Sequence, residues 1–135
     1  MNNFANMIQA IELRIGNWIH LKADTLSGSV NENAKVIELA QDYIKTDISK
    51  SYQLPSYEIY GINITREILE MCRFEKDEDF VKTTYKLGDI YLRDYGSWKL
   101  ENKIGVPPYQ VSIDYLHELQ NLYFALTGTE LSIEL

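Results

Sequence analysis

The sequence predicts an α+β domain: a small antiparallel sheet or SH3-like barrel, a short middle helix, a second hairpin unit and a C-terminal amphipathic helix packed on sheet. Three observations carry this. Leu116, Leu119, Tyr123 and Leu126 recur at intervals of three and four, the stripe of a helix with one buried face. Elsewhere, short runs alternate apolar with polar residues at the period of half-buried strands. Turn-forming stretches at 27–33, Gly88-Asp89 and Asp94–Ser97 separate those runs. The 135 residues, 45% hydrophobic and 24% charged, fit one globular domain spanning 1–135.

Residues 1–10 read as a short helix or a flexible arm. Leu13 to Leu21 alternates around Gly16 and reads as the first strand, followed by a polar loop at 27–33. Ala34–Leu39, Tyr43–Ile48 and Tyr57–Tyr60 complete a small meander. Thr65 is placed to cap the amides of a short helix through Cys72, with Ile64 and Leu69 at the spacing of a hydrophobic staple. Glu75, Asp77, Glu78 and Asp79 read as a solvated acidic loop. Phe80–Leu87, Ile90–Arg93 and Trp98–Leu100 form the second hairpin unit, which Pro107-Pro108 stops. Ser112 is the natural N-cap of the last helix and Gly128 its left-handed stop. Leu131, Ile133 and Leu135 then alternate as a final strand would.

Composition narrows the function classes. No apolar run approaches the roughly 20 residues of a membrane span, and residues 1–10 lack the pattern of a signal peptide, so a cytoplasmic location is expected. The lone Cys72 excludes an internal disulfide and a thiolate cluster. A net charge of −7 argues against a nucleic-acid binder, because phosphate contacts require a basic footprint. From Val111 onward there is no Lys or Arg. No cofactor or metal is called for: there is no phosphate-cradling glycine loop, GxSxG elbow, HExxH or paired Cys-x-x-Cys.

Three segments occur together and in order: Leu13-Arg14-Ile15-Gly16-Asn17-Trp18, then Gly61 through Leu69 with Cys72–Lys76, then Tyr115 through Leu131. In these the chain resembles a family of small uncharacterised proteins from Bacteroides-type gut bacteria and their phages or mobile elements. That resemblance implies no activity, cofactor or catalytic residue.

Candidate chemistry is sparse. His117, beside Glu118 in the last helix, has the residue type of a general base or metal ligand oriented by a carboxylate from another segment, which would make the chain a small hydrolase-like enzyme. The plainer account is a histidine at the surface or the edge of the core. His20 reads as structural. Glu67 and Glu70 are flanked by Arg66 and Arg73 and read as a solvated helix face. Ten tyrosines and two tryptophans are more suggestive, because rings with a polar handle suit recognition surfaces. Tyr60, Tyr91, Tyr95 and Trp98 are the candidate binding residues, with Tyr95–Trp98 the expected exposed patch. The plainer account there is sheet propensity. The leading expectation is a non-catalytic module that binds a protein partner or itself. Single-stranded nucleic-acid binding is a weaker alternative, requiring Lys82, Lys86, Arg93, Lys99 and Lys103 to converge on one surface.

Overall fold

The computed structural model describes residues 10–25, 28–40, 43–48, 58–77, 83–101 and 111–135. They form two antiparallel sheets and two helices, so the α+β class is observed. The first sheet holds β1 (Trp18–Thr25), β2 (Gly28–Leu39), β3 (Ile44–Thr46) and β4 (Glu58–Tyr60), in the order β3-β2-β1-β4. After α1 (Arg66–Met71) come β5 (Glu75–Asp77), β6 (Thr84–Leu87), β7 (Ile90–Asp94), β8 (Trp98–Glu101) and β9 (Val111–Ser112), which pair in sequence order as a second sheet. α2 (Leu116–Thr127) closes the chain. Among the described residues neither sheet closes on itself into a barrel.

β1 explains how two small cores become one body. Ile19 and Leu21 point to one side and join Leu13, Ala34, Val36, Ile44 and Ile59. Trp18, of opposite parity on the strand, enters the larger core with Leu69, Phe74, Leu92, Trp98, Leu116 and Leu119. The turn before β1 is shaped by Gly16, whose φ of 98° is costly for any other residue.

Several expectations need correction. The segment 28–33 is not a loop but the first half of β2, paired with β1 from Thr25↔Gly28 to His20↔Asn33. Its residues are exposed apart from half-buried Val30, which packs on the smaller core, so a single apolar residue marks no alternation. Glu75–Asp77 is an edge strand rather than a solvated loop, and Asp77 is buried with Lys86 3.8 Å away. Glu78, Asp79, Lys82, Lys103 and Pro107-Pro108 lie outside the described residues. So do residues 1–9 of the expected arm, while Ala10–Glu12 form a 3-10 turn. Ser112 belongs to β9, where its hydroxyl accepts from Lys99 Nζ, and the N-cap of α2 is Tyr115. There the Glu118 carboxylate reaches back to the Tyr115 and Asp114 amides at 3.0 and 3.2 Å. Among the described residues Leu131–Leu135 joins no ladder; Leu131 and Ile133 are instead buried in the larger core. Thr65 and Gly128 cap as expected, Thr65 Oγ1 accepting from the Ile68 amide and Gly128 adopting φ 71°.

The apolar stripe of α2 is buried at one end only. Leu116 and Leu119 are fully enclosed and Tyr123 is half-buried, but Leu126 is 61% exposed. α2 covers the larger core through its first turns, and its last turn reaches the edge of the second sheet at Leu87–Ile90.

Candidate functional site

The four expected binding residues fall in three places. Tyr91 is half-buried and shares the outer face of the second sheet with Arg93, while Tyr95 follows in the β7–β8 turn. Arg93 joins them: its guanidinium donates to Thr84 Oγ1 at 3.2 Å and to the Tyr95 hydroxyl at 3.3 Å. Trp98 faces the other way. It is 8% exposed, meets Tyr85 edge-on with centroids 5.8 Å apart, and donates Nε1–H to the Ile64 carbonyl at 3.2 Å. Tyr60 is buried on the other sheet, with Lys22 Nζ 5.3 Å from its ring centre. Its hydroxyl donates to Glu58, and that bond, with burial and the same carboxylate's charge, raises its pKa. Of the two rings in the expected patch Tyr95–Trp98, Tyr95 is exposed, with half-buried Arg93 and Tyr91 beside it on the outer face. Trp98 lies beneath it as a core residue because Asp94↔Trp98 pairing turns its side chain inward.

The β7–β8 turn is built stiffly. Gly96 sits at φ 92°, its amide donates to Asp94 Oδ1 at 2.9 Å, and the Tyr95 amide donates to the Ser97 carbonyl at 3.0 Å. Beside it is a groove of about 310 Å3 lined by Asn63, Gly96, Ser97, Trp98, Asp114 and Tyr115. Its walls are locked by Ile64 N–H to Asp114 O (3.0 Å), Ile113 N–H to Trp98 O (2.8 Å) and Leu116 N–H to Ile62 O (2.8 Å). Tyr115 ionises above its ordinary range, through burial and the charges of Asp114, Glu118 and Glu12, so it offers a neutral hydroxyl.

His117 is neither at the surface nor at the core's edge: it is 1% exposed. Its ring stacks on Tyr115 with an interplanar angle of 11°, and Nε2 lies 3.5 Å from Glu12 Oε1. Neither ring nitrogen makes a well-formed hydrogen bond, the Glu12 approach being an ion-pair distance rather than an aligned bond. The carboxylate nearest the ring comes, as expected, from another segment, Glu12, while neighbouring Glu118 caps the helix. His20 lies between the Asn31 and Asn33 carboxamides, a structural role on the first sheet.

The most extensive polar network is one the residue types alone did not expose. Arg14 donates to Asn121 Oδ1 (2.9 Å), to Glu130 Oε1 (2.7 Å) and, more loosely, to the Gln120 carbonyl (3.3 Å), and lies over the Phe124 ring. Gln120 is buried, accepts from the Trp18 amide (2.8 Å) and donates to the Gly16 carbonyl (3.0 Å). Asn17 donates to Asn121 Oδ1 at 2.9 Å. Every side chain is committed to holding the 14–18 turn on α2, which makes this network architecture. The only signal of it in the sequence is that Leu13–Trp18 and Tyr115–Leu131 are the distinctive segments.

On the outer face of the second sheet, Lys86 lies 3.8 Å from buried Asp77, Arg93 donates to Thr84 and Tyr95, and Lys99 donates to Ser112, so each described cation there is engaged locally. Among the described residues no three His, Cys, Asp or Glu side chains are grouped to hold a metal, and no helix is long and apolar enough to cross a membrane. Compared with family models, curated proteins and solved structures, the chain matches none.

Proposed function

We propose that the chain is a non-catalytic protein-interaction module of phage or mobile-element type, contacting its partner through Tyr91, Arg93, Tyr95 and the adjoining groove. One observation carries this: Tyr95, 45% exposed, is held by the Arg93 guanidinium on a hydrogen-bonded turn whose next two residues, Gly96 and Ser97, line a groove. Tyrosine and arginine dominate binding energy at protein interfaces, and a pre-ordered turn loses little entropy on association. The charge of −7 favours a basic partner.

The test is affinity purification from the native host, followed by titration of the purified partner against wild type, Tyr95→Ala and Arg93→Ala. Each change should weaken binding at least about five-fold, as removal of a contributing interface residue does, with unfolding curves unchanged. Unaltered affinity in both variants overturns the reading. Trp98 is unsuitable for this purpose, since its truncation would open the core.

A second reading, a small hydrolase-like enzyme using His117 with a carboxylate, is favoured by the 3.5 Å approach of Glu12 to Nε2. It stands second because a substrate would first have to displace the packing that leaves the imidazole 1% exposed.

A further inference from the structure

A second surface is independent of the Tyr95 turn. The last turn of α2 and the β6–β7 turn enclose a groove of about 600 Å3, within the range of roughly 300–1,000 Å3 for ligand sites. Leu87, Ile90, Tyr123 and Leu126 supply apolar lining, and Asp89 supplies a carboxylate. Three features set the sign of what fits. α2 has no basic residue in its last turn, so the helix supplies no cation of its own to the negative end of its dipole. Residues 111–135 contain no Lys or Arg. Arg14, which reaches this helix from the N-terminal turn, is already engaged by Glu130, Asn121 and the Phe124 ring. An aliphatic stem carrying a cation matches this lining: the methylenes cover Leu87, Ile90 and Leu126, and the charged head reaches Asp89 and the helix end.

We propose that this groove is a docking site for a lysine- or arginine-bearing apolar segment of a partner protein. The Gly88-Asp89 turn, with Gly88 at φ 59°, presents the carboxylate, and exposed Leu126 forms the opposite lip.

The probe is a short fluorescein-labelled peptide with one lysine between leucines, set against the same peptide with glutamate for lysine. Both are titrated into the full chain by anisotropy, at low and high salt, and mapped by amide shifts. The lysine peptide should bind and shift Leu87–Ile90 and Tyr123–Thr127. The glutamate peptide should bind about two- to five-fold more weakly, the range one exposed ion pair supports. Leu126→Ser should lower the affinity of the lysine peptide, and Asp89→Asn should flatten its salt dependence, with both variants folded by circular dichroism. Absence of binding, equal binding of the two peptides, or shifts confined to Tyr95–Trp98 would overturn the proposal. The last outcome would place the peptide on the other surface and leave the Tyr95 reading standing.

Discussion

Replacing Gly61 with alanine sets two effects of opposite sign against each other. Gly61 follows β4, is buried, and does not adopt the left-handed backbone that only glycine tolerates well. On backbone grounds alone, Gly61→Ala should stabilise by about 0.4–1 kcal/mol, because the unfolded chain loses freedom. The added Cβ, however, would stand 2.5 Å from both Cγ and Cδ1 of Tyr115 and 3.1 Å from its Cβ. Carbon atoms pack best at about 3.5–4.0 Å, so roughly 1 Å must be opened. The atoms in the way are the root of the ring, and they have little room to yield. Tyr115 pairs with Asn63 across an isolated bridge, its amide is held by Glu118, and its ring stacks on His117. Overpacking of this kind costs about 1–3 kcal/mol, which outweighs the entropic gain. The expected result is a net loss of about 1–2 kcal/mol in urea unfolding, with Tm lower by about 4–8 °C. In a Tyr115→Ala background the same change should become neutral or stabilising, the signature of coupling between two touching residues. If Gly61→Ala raised stability in the wild-type background, the close packing of this connection against α2 would be refuted.

Leu119→Ala should cost about 2–5 kcal/mol, as buried large-to-small changes do, whereas Leu126→Ala should cost under about 1 kcal/mol because its side chain is mostly in water. Equal losses in denaturant unfolding would contradict the one-ended burial of the stripe. Gln120→Ala removes the partners of the Trp18 amide and the Gly16 carbonyl and should cost about 1–3 kcal/mol; a change within about 0.5 kcal/mol, typical of unimportant surface sites, would show the network to be dispensable. Burial pushes the Cys72 thiol up to about 12, so native protein at pH 8 should resist a thiol reagent that labels it fully in guanidinium. The unfolded thiol ionises first, near its ordinary 9.0, while the native one keeps its proton. This group's contribution to stability is therefore complete below pH 9 and declines as pH rises toward 12. Rapid native labelling at pH 8 would disprove that burial.

Local signals were legible wherever chemistry is local. Thr65 and Gly128 act through their own neighbours, so their capping could be read from residue type and position. The β6–β7 and β7–β8 hairpins followed from turns a few residues long. Failures came where distant chain decides the outcome. Ser112 looked like a cap until Lys99 and the edge of β8 claimed it for a strand. Leu126 matched the helical stripe, but the sheet beneath does not extend far enough to cover it. The segment 28–33 shows no alternation because Val30 is its only apolar residue, packed at the rim of the smaller core. Trp98 has the residue type of a binding hot spot, yet strand parity turned it inward, leaving Tyr95 and Tyr91 outside. For His117 a carboxylate from another segment, Glu12, is indeed near, but the full burial of the ring is set by tertiary packing that residue type does not reveal.

The clasp between the 14–18 turn and α2 has a consequence for how the protein is made. Its hydrogen bonds join residues 102 to 116 positions apart, from Trp18–Gln120 to Arg14–Glu130. A ribosome delivers the early turn long before it delivers the helix that grips it. The first sheet must therefore wait, with Trp18 unsheltered, until nearly the whole described chain has emerged. The larger core is thus completed late, and a nascent chain cut short before α2 would leave that tryptophan without Leu116 and Leu119 to pack against.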